Sequence, residues 1–111
     1  MNRDTLVLTP TLGRRPSLSS TILSVYQVYP RRIRHVLVGP EDVLCTYKKQ
    51  FPWVTILDDQ SSGSIYSALN YALSVFTDYR LFAYINDDDE WLPGFSKIFD
   101  FLDNNPHYVY A

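Results

Sequence analysis

Four consecutive acids, Asp87-Asp88-Asp89-Glu90, stand at the end of an apolar, β-prone run, Leu81-Phe82-Ala83-Tyr84-Ile85, and lead at once into Trp91, Pro93 and Gly94. Carboxylates crowded at the end of a buried strand repel one another unless a cation gathers them. Two or three hard oxygen ligands at such a place suit Mg²⁺ or Mn²⁺, which keep waters and complete their coordination with substrate phosphates. On an extended backbone Asp87 and Asp89 share one side and Asp88 the other, until the turn at Pro93. The competing reading is a solvated acidic loop that caps the helix after Pro93.

Other residues could join such a site. Thr9-Pro10-Thr11 ends the first apolar run with short hydroxyls and free backbone groups, which could line a nucleotide or simply make a turn. Arg14 and Arg15 could clamp phosphates, or stand as solvated surface charge before a helix. Asn70, between Leu69 and the Ala72-Leu73 pair, is either an exposed helical amide or a site residue. His35 and His107 are separated by most of the chain, lack any ligand-like spacing and read as structural or surface residues. Cys45, in the run Val43-Leu44-Cys45-Thr46-Tyr47, reads as a small buried hydrophobe; as the single cysteine it excludes an intrachain disulfide and a cysteine-based zinc site.

The elements that must position these groups follow from periodicity. Thr5 to Thr9 is a short apolar strand stopped at Pro10. Gly13 to Ser17 makes a loop with Ser17 as N-cap, and Leu18, Ile22, Val25, Tyr26 and Tyr29 recur at helical spacing up to Pro30. Arg34 to Val38 is a second strand, broken by Gly39-Pro40. Glu41 and Asp42 open a second helix, where acids favour the positive end of the dipole, with Val43, Leu44, Tyr47 and Phe51 as its apolar face. Trp53 to Leu57 is a third strand. A polar loop from Asp58 to Gly63 precedes a third helix carrying Ile65, Ala68, Leu69, Ala72 and Phe76. After the strand Leu81 to Ile85, a fourth helix is expected over Phe95, Ile98, Phe99 and Leu102, and Tyr108 to Ala111 begins another strand.

Strand and helix alternate throughout with short connections, which predicts an α/β fold: a Rossmann-like, mostly parallel sheet covered by helices on both faces. Ligands of such sheets sit beyond the carboxyl ends of the strands, where the four acids fall. The 111 residues make one domain by length, and a net charge of −2 provides no basic field to recruit nucleic acid or anionic membrane. No apolar run approaches the roughly 18–20 residues that cross a bilayer, and the N-terminus lacks a signal-peptide core, so a cytoplasmic location is the expectation.

The order of these motifs is similar to something known. Thr-Pro-Thr after the first strand, the Ser17 to Pro30 helix, a Gly63-Ser64 helix start leading to Ala68 and Asn70, and an apolar strand entering an Asp cluster before Trp91 and Pro93-Gly94 resemble the nucleotide-binding half of family-two glycosyltransferases, which have the GT-A fold. The resemblance spans nearly the whole chain. It implies a donor, a nucleotide diphosphate sugar, with Thr9, Pro10 and Thr11 cradling base and ribose. Asp88 and Asp89 match the acidic pair that reaches the ribose and the divalent metal, Asp87 is an extra acid beside that pair, and Asp87 and Asp88 count with the nucleotide-binding residues. Arg14 falls among the nucleotide-binding residues, and Asn70 supports the diphosphate. Where the family has an Asp-containing turn after the second strand, this chain has Gly39-Pro40-Glu41-Asp42, so Glu41 or Asp42 takes that place. The resemblance implies Mn²⁺ or Mg²⁺ as cofactor, an inverting transfer to a hydroxyl of a saccharide or lipid-linked glycan, and a general base beyond Ala111, so that the chain reads as truncated and inactive by itself. Two rivals fit the same alternation: a receiver-like phosphoacceptor domain, with Asp58 and Asp59 after the third strand, and a non-catalytic α/β binding module.

Overall fold

The computed structural model describes residues 5–28, 33–59, 65–79 and 81–92. Within them the chain runs β1 (Thr5–Pro10), α1 (Leu18–Val28), β2 (Ile33–Gly39), α2 (Glu41–Gln50), β3 (Thr55–Asp58), α3 (Ile65–Val75) and β4 (Leu81–Tyr84). The four strands form one all-parallel sheet in the order β3-β2-β1-β4. The helix expected over Phe95 to Leu102, the strand expected at Tyr108, and His107 lie outside the described residues.

Side-chain alternation along the strands divides the core in two. On one face Leu6 and Leu8 of β1 join Val36 and Val38 of β2, and Ala68 and Ala72 let α3 lie against them. On the other face Val7 and Ile33 meet Val25 and Val28 of α1, while Leu37 meets Leu18 and Ile22 of α1 and Leu44 of α2. Helices therefore cover both faces, as expected, and the central strands are apolar on both sides for that reason. The placement has a topological cause. Right-handed crossovers moving outward from β1 to β3 put α1 and α2 on one face, and the return from β3 to β4 puts α3 on the other.

That strand order also tests a rival reading. A receiver-type sheet sets β1 between β2 and β3. Here β3 lies beyond β2, and β1 is flanked by β2 and β4.

Local differences from the sequence reading have local causes. Residues 52 and 53 make a turn after α2, so β3 begins at Thr55 instead of Trp53. Trp53 packs instead on Tyr26 at 4.2 Å and Phe51 at 5.5 Å between ring centroids. Cys45 is exposed, a correction to the buried reading. The single buried position of α2 is Leu44, and one residue along a helix turns about 100° away from it.

Two polar features are built into the core. Thr9 Oγ1 and His35 Nε2 lie 2.7 Å apart, both residues buried, while His35 Nδ1 has no hydrogen-bond partner among the described residues. Burial pushes the His35 imidazole down from 6.5 to about 3. At the end of β2, the Thr11 N–H donates to Val38 O at 3.0 Å, and a Cβ on Gly39 would stand 1.9 Å from Thr11 O. Only glycine admits the β1 loop so close.

Each feature has a measurable consequence. Gly39→Ala should cost about 2–3 kcal/mol or more in urea denaturation, because backbone must move to accept the methyl. For His35, the folded-state value lies below that of the unfolded chain, so between the two the unfolded chain holds the extra proton. Its contribution is complete above pH 6.5 and is lost as pH falls toward 3, at about 1.4 kcal/mol per pH unit. His35→Met should show a pH slope shallower by that one proton between pH 6.5 and 5.

Candidate functional site

The direction of strand addition reverses between β1 and β4, and at such a switch point the two following loops part to leave a crevice at the carboxyl edge. The loop after β1 and the acidic segment after β4 meet there. Asp89 N–H donates to Asn86 O at 3.2 Å, so Asp87 and Asp88 are the central residues of a turn. The extended alternation expected of the acids is thus replaced by a turn that begins before Pro93.

Three side chains from the loop between β1 and α1 hold Asp87. Thr11 donates its hydroxyl to Asp87 Oδ2 at 2.6 Å while accepting the Gly13 N–H at 2.9 Å. Arg15 Nε lies 3.2 Å from Asp87 Oδ1, and Ser17 donates to the Asp87 carbonyl at 2.9 Å. Gly13, at φ 73°, lets the loop fold back on Val43 and Leu44 of α2.

Beyond Ser17 the same stripe of α1 continues at helical spacing. Thr21 donates to Asp89 O at 2.6 Å. Ser24 accepts the Trp91 N–H at 3.0 Å and donates to Thr21 O at 2.8 Å. The backbone of the acidic segment is therefore fixed by hydroxyls, and its carboxylates divide by exposure. The side chain of Asp87 is 15% exposed, that of Asp88 is 48% exposed, and Asp89 and Glu90 are exposed. Arg15 Nη1 reaches Asp88 Oδ2 at 3.4 Å, and Asn86 Nδ2 donates to Asp89 Oδ2 at 3.2 Å. A cleft of about 290 Å³ beside the turn is lined by Tyr84, Ile85, Asn86, Asp89 and Trp91.

The candidate residues separate clearly. Thr11, Asp87, Asp88 and Asp89 come together at the switch point, and half-buried Pro10 leads into it. Thr9 turns inward to His35, so only its backbone is near the rim. Arg14 is exposed, and its neighbour Arg15 is the one paired with the acids. Glu41 and Asp42 are exposed in the first turn of α2. The Glu41 N–H donates to Asp58 Oδ1 at 2.9 Å, which makes Asp58 a cap supplied from β3. Asn70 is exposed on α3; among the described residues no hydrogen bond joins it to the acidic turn. No group of three or more His, Cys, Asp or Glu placed to hold a metal occurs among the described residues.

Sequence reasoning missed Arg15 as an acid partner and missed the hydroxyls of Ser17, Thr21 and Ser24. Their spacing of four and three residues was visible, and it puts Thr21 and Ser24 on one side of α1, in line with Ser17 just before it. Nothing local says that the segment they hold is about seventy residues away.

The division among the acids predicts unequal mutational effects. Asp87→Ala should destabilise the chain by about 1–3 kcal/mol, because Thr11 loses its acceptor in a shielded place. Asp88→Ala should change stability by at most about 1 kcal/mol, since its partner is an exposed ion pair. Chemical denaturation of the two variants reads the difference.

No protein-family model matches the chain, and no curated protein does. Solved structures do. The mannosyltransferase PcManGT from Pyrobaculum calidifontis, in complex with GDP-Man and Mn²⁺, is 18% identical with a TM-score of 0.69, over 92% of this chain and 33% of that one. TarS 1-349 of S. aureus is 16% identical with a TM-score of 0.73, over 94% of this chain and 33% of its own. Its complex with UDP-GlcNAc is 15% identical at a TM-score of 0.70, over 94% and 32%. The chain spans about a third of the length of these structures. The parallel sheet, its helices and the β1/β4 switch point are thus a GT-A-type glycosyltransferase fold, present here over the portion that these 111 residues cover.

Proposed function

We propose that the chain is the donor-binding part of a glycosyltransferase that moves a sugar from a nucleotide diphosphate sugar to an acceptor hydroxyl. The observation that carries this reading is the meeting of Thr11 and the Asp87–Asp89 turn at the topological switch point. The fold likeness supports it, since PcManGT is seen with GDP-Man and Mn²⁺ and TarS with UDP-GlcNAc.

The roles follow from exposure and bonding. Asp87 serves as the anchor of the turn, and Asp88 and Asp89 are the acids for a divalent cation, Mn²⁺ or Mg²⁺. Two exposed carboxylates in one turn fit such a cation, which takes few protein oxygens and leaves coordination places to water and phosphate. When bound, the cation neutralises charge on the leaving diphosphate. Pro10 and Thr11, with the Thr9 backbone, lie on the side for base and ribose, and Glu41 or Asp42 borders it from α2. Arg14 and Asn70 belong toward the diphosphate. Holding the turn rigid from α1 lets these groups act without reorganising, which is how an electrostatic site lowers a barrier. The acceptor in this reading is a saccharide or lipid-linked glycan, attacked in line with inversion.

Calorimetry of the chain with GDP and UDP should give binding in Mn²⁺ and none in EDTA, because like charges meet when the cation is removed. Equal affinity in EDTA would reject the cation's role. Failure of both nucleotides in Mn²⁺ would reject the donor reading.

A further inference from the structure

We infer that Arg15 is a charge-exchange residue, resting on the donor site proposed above: it holds Asp88 in the free chain, releases it to a divalent cation, and then neutralises the diphosphate. The two ends of its contact are unequal. Nε lies 3.2 Å from a carboxylate that is 15% exposed and is also held by Thr11. Nη1 lies 3.4 Å from one that is 48% exposed. The first contact is shielded from water and supported; the second is long and open to competition.

The backbone at Arg15 is fixed, since its carbonyl accepts the Leu18 N–H at 3.1 Å at the start of α1, while its side chain is 62% exposed. The guanidinium can therefore pivot about its Asp87 contact without moving the loop. Nε and one Nη serve the acids, which leaves the rest of its five N–H donors to a ligand. A planar fork of this kind matches phosphate oxygens.

The charges set the order of events. Arg15 and a divalent cation compete for Asp88, so the guanidinium weakens uptake of the cation alone. A diphosphate attracts both, so Arg15 strengthens uptake of the anion once the cation is in place. The site thereby favours cation and diphosphate together over cation alone, and that coupling is reciprocal.

Titration of Mn²⁺ alone, followed by electron paramagnetic resonance of the free ion, and calorimetry of GDP and UDP at saturating Mn²⁺ read the two effects. The proteins are wild type, Arg15→Ala, Arg15→Gln and the charge-matched control Lys49→Ala, whose exposed residue lies on α2. Both Arg15 variants should bind Mn²⁺ alone about two- to fivefold tighter. They should bind the nucleoside diphosphate at least about tenfold more weakly. Arg15→Gln keeps a donor toward Asp87, so it reads the effect even if Arg15→Ala fails to fold. Unchanged or weaker Mn²⁺ binding in the variants, or the same changes in Lys49→Ala, would overturn the exchange while leaving the donor site intact. A wild-type chain that takes up neither Mn²⁺ nor nucleoside diphosphate overturns both.

Discussion

The hydrogen bond from Thr11 to Asp87 joins two strands that no hairpin connects. β1 and β4 are parallel neighbours, and their ladder reaches only to the Ile85 N–H on Leu8 O. Past that point the loops would diverge. At 2.6 Å, with Arg15 and Ser17 on the same residue, Asp87 closes the gap and carries the next acids to the rim. A carboxylate this shielded requires such partners, since a charge taken from water unpaired is costly. The turn, the exposure of Asp88 and the position of the cleft all depend on it.

Helix α1 performs two tasks with adjacent stripes. Leu18, Ile22, Val25 and Val28 bury against the sheet, while Thr21 and Ser24, with Ser17 just before the helix, hold the backbone of residues 87 to 91. Serine and threonine gain little for a helix on their own, because their hydroxyls compete for nearby backbone groups. Here Ser17 donates to the Asp87 carbonyl, and Thr21 lies closer to the Asp89 carbonyl, at 2.6 Å, than to the Ser17 carbonyl one turn back, at 3.3 Å. The helix that completes the core therefore also orients the site, so packing errors in α1 would be felt at the acids.

The carboxyl rim of the sheet shows the same economy of partners. Thr11 N–H goes to Val38 O, Asp59 N–H to Gly39 O, and Asp58 caps α2 through the Glu41 N–H. Backbone groups that outrun the ladder are satisfied sideways by the neighbouring loop. Gly39 is the position that makes this possible, because a side chain there would meet the Thr11 carbonyl.

Periodicity in the sequence by itself determined the alternating α/β order, the parallel sheet with helices on both faces, and the location of the acids beyond a strand's carboxyl end. These depend on local pattern, hydrophobic alternation and proline stops, which a single chain displays directly. All seven described elements lie where periodicity places them, with β3 starting later because Pro52 and Trp53 make a turn. What only the tertiary structure decided was which acid is anchored and which are exposed, that Arg15 and not Arg14 meets them, that Thr9 faces His35, and that Asp58 is a cap. Each of these is set by contacts between residues 17 to 76 positions apart. No spacing along the chain encodes such a pairing, because each exists only once the sheet has assembled: Thr9 meets His35 across β1 and β2, Asp58 meets α2 from β3, and Asp87 meets Thr11 and Arg15 only with β4 beside β1.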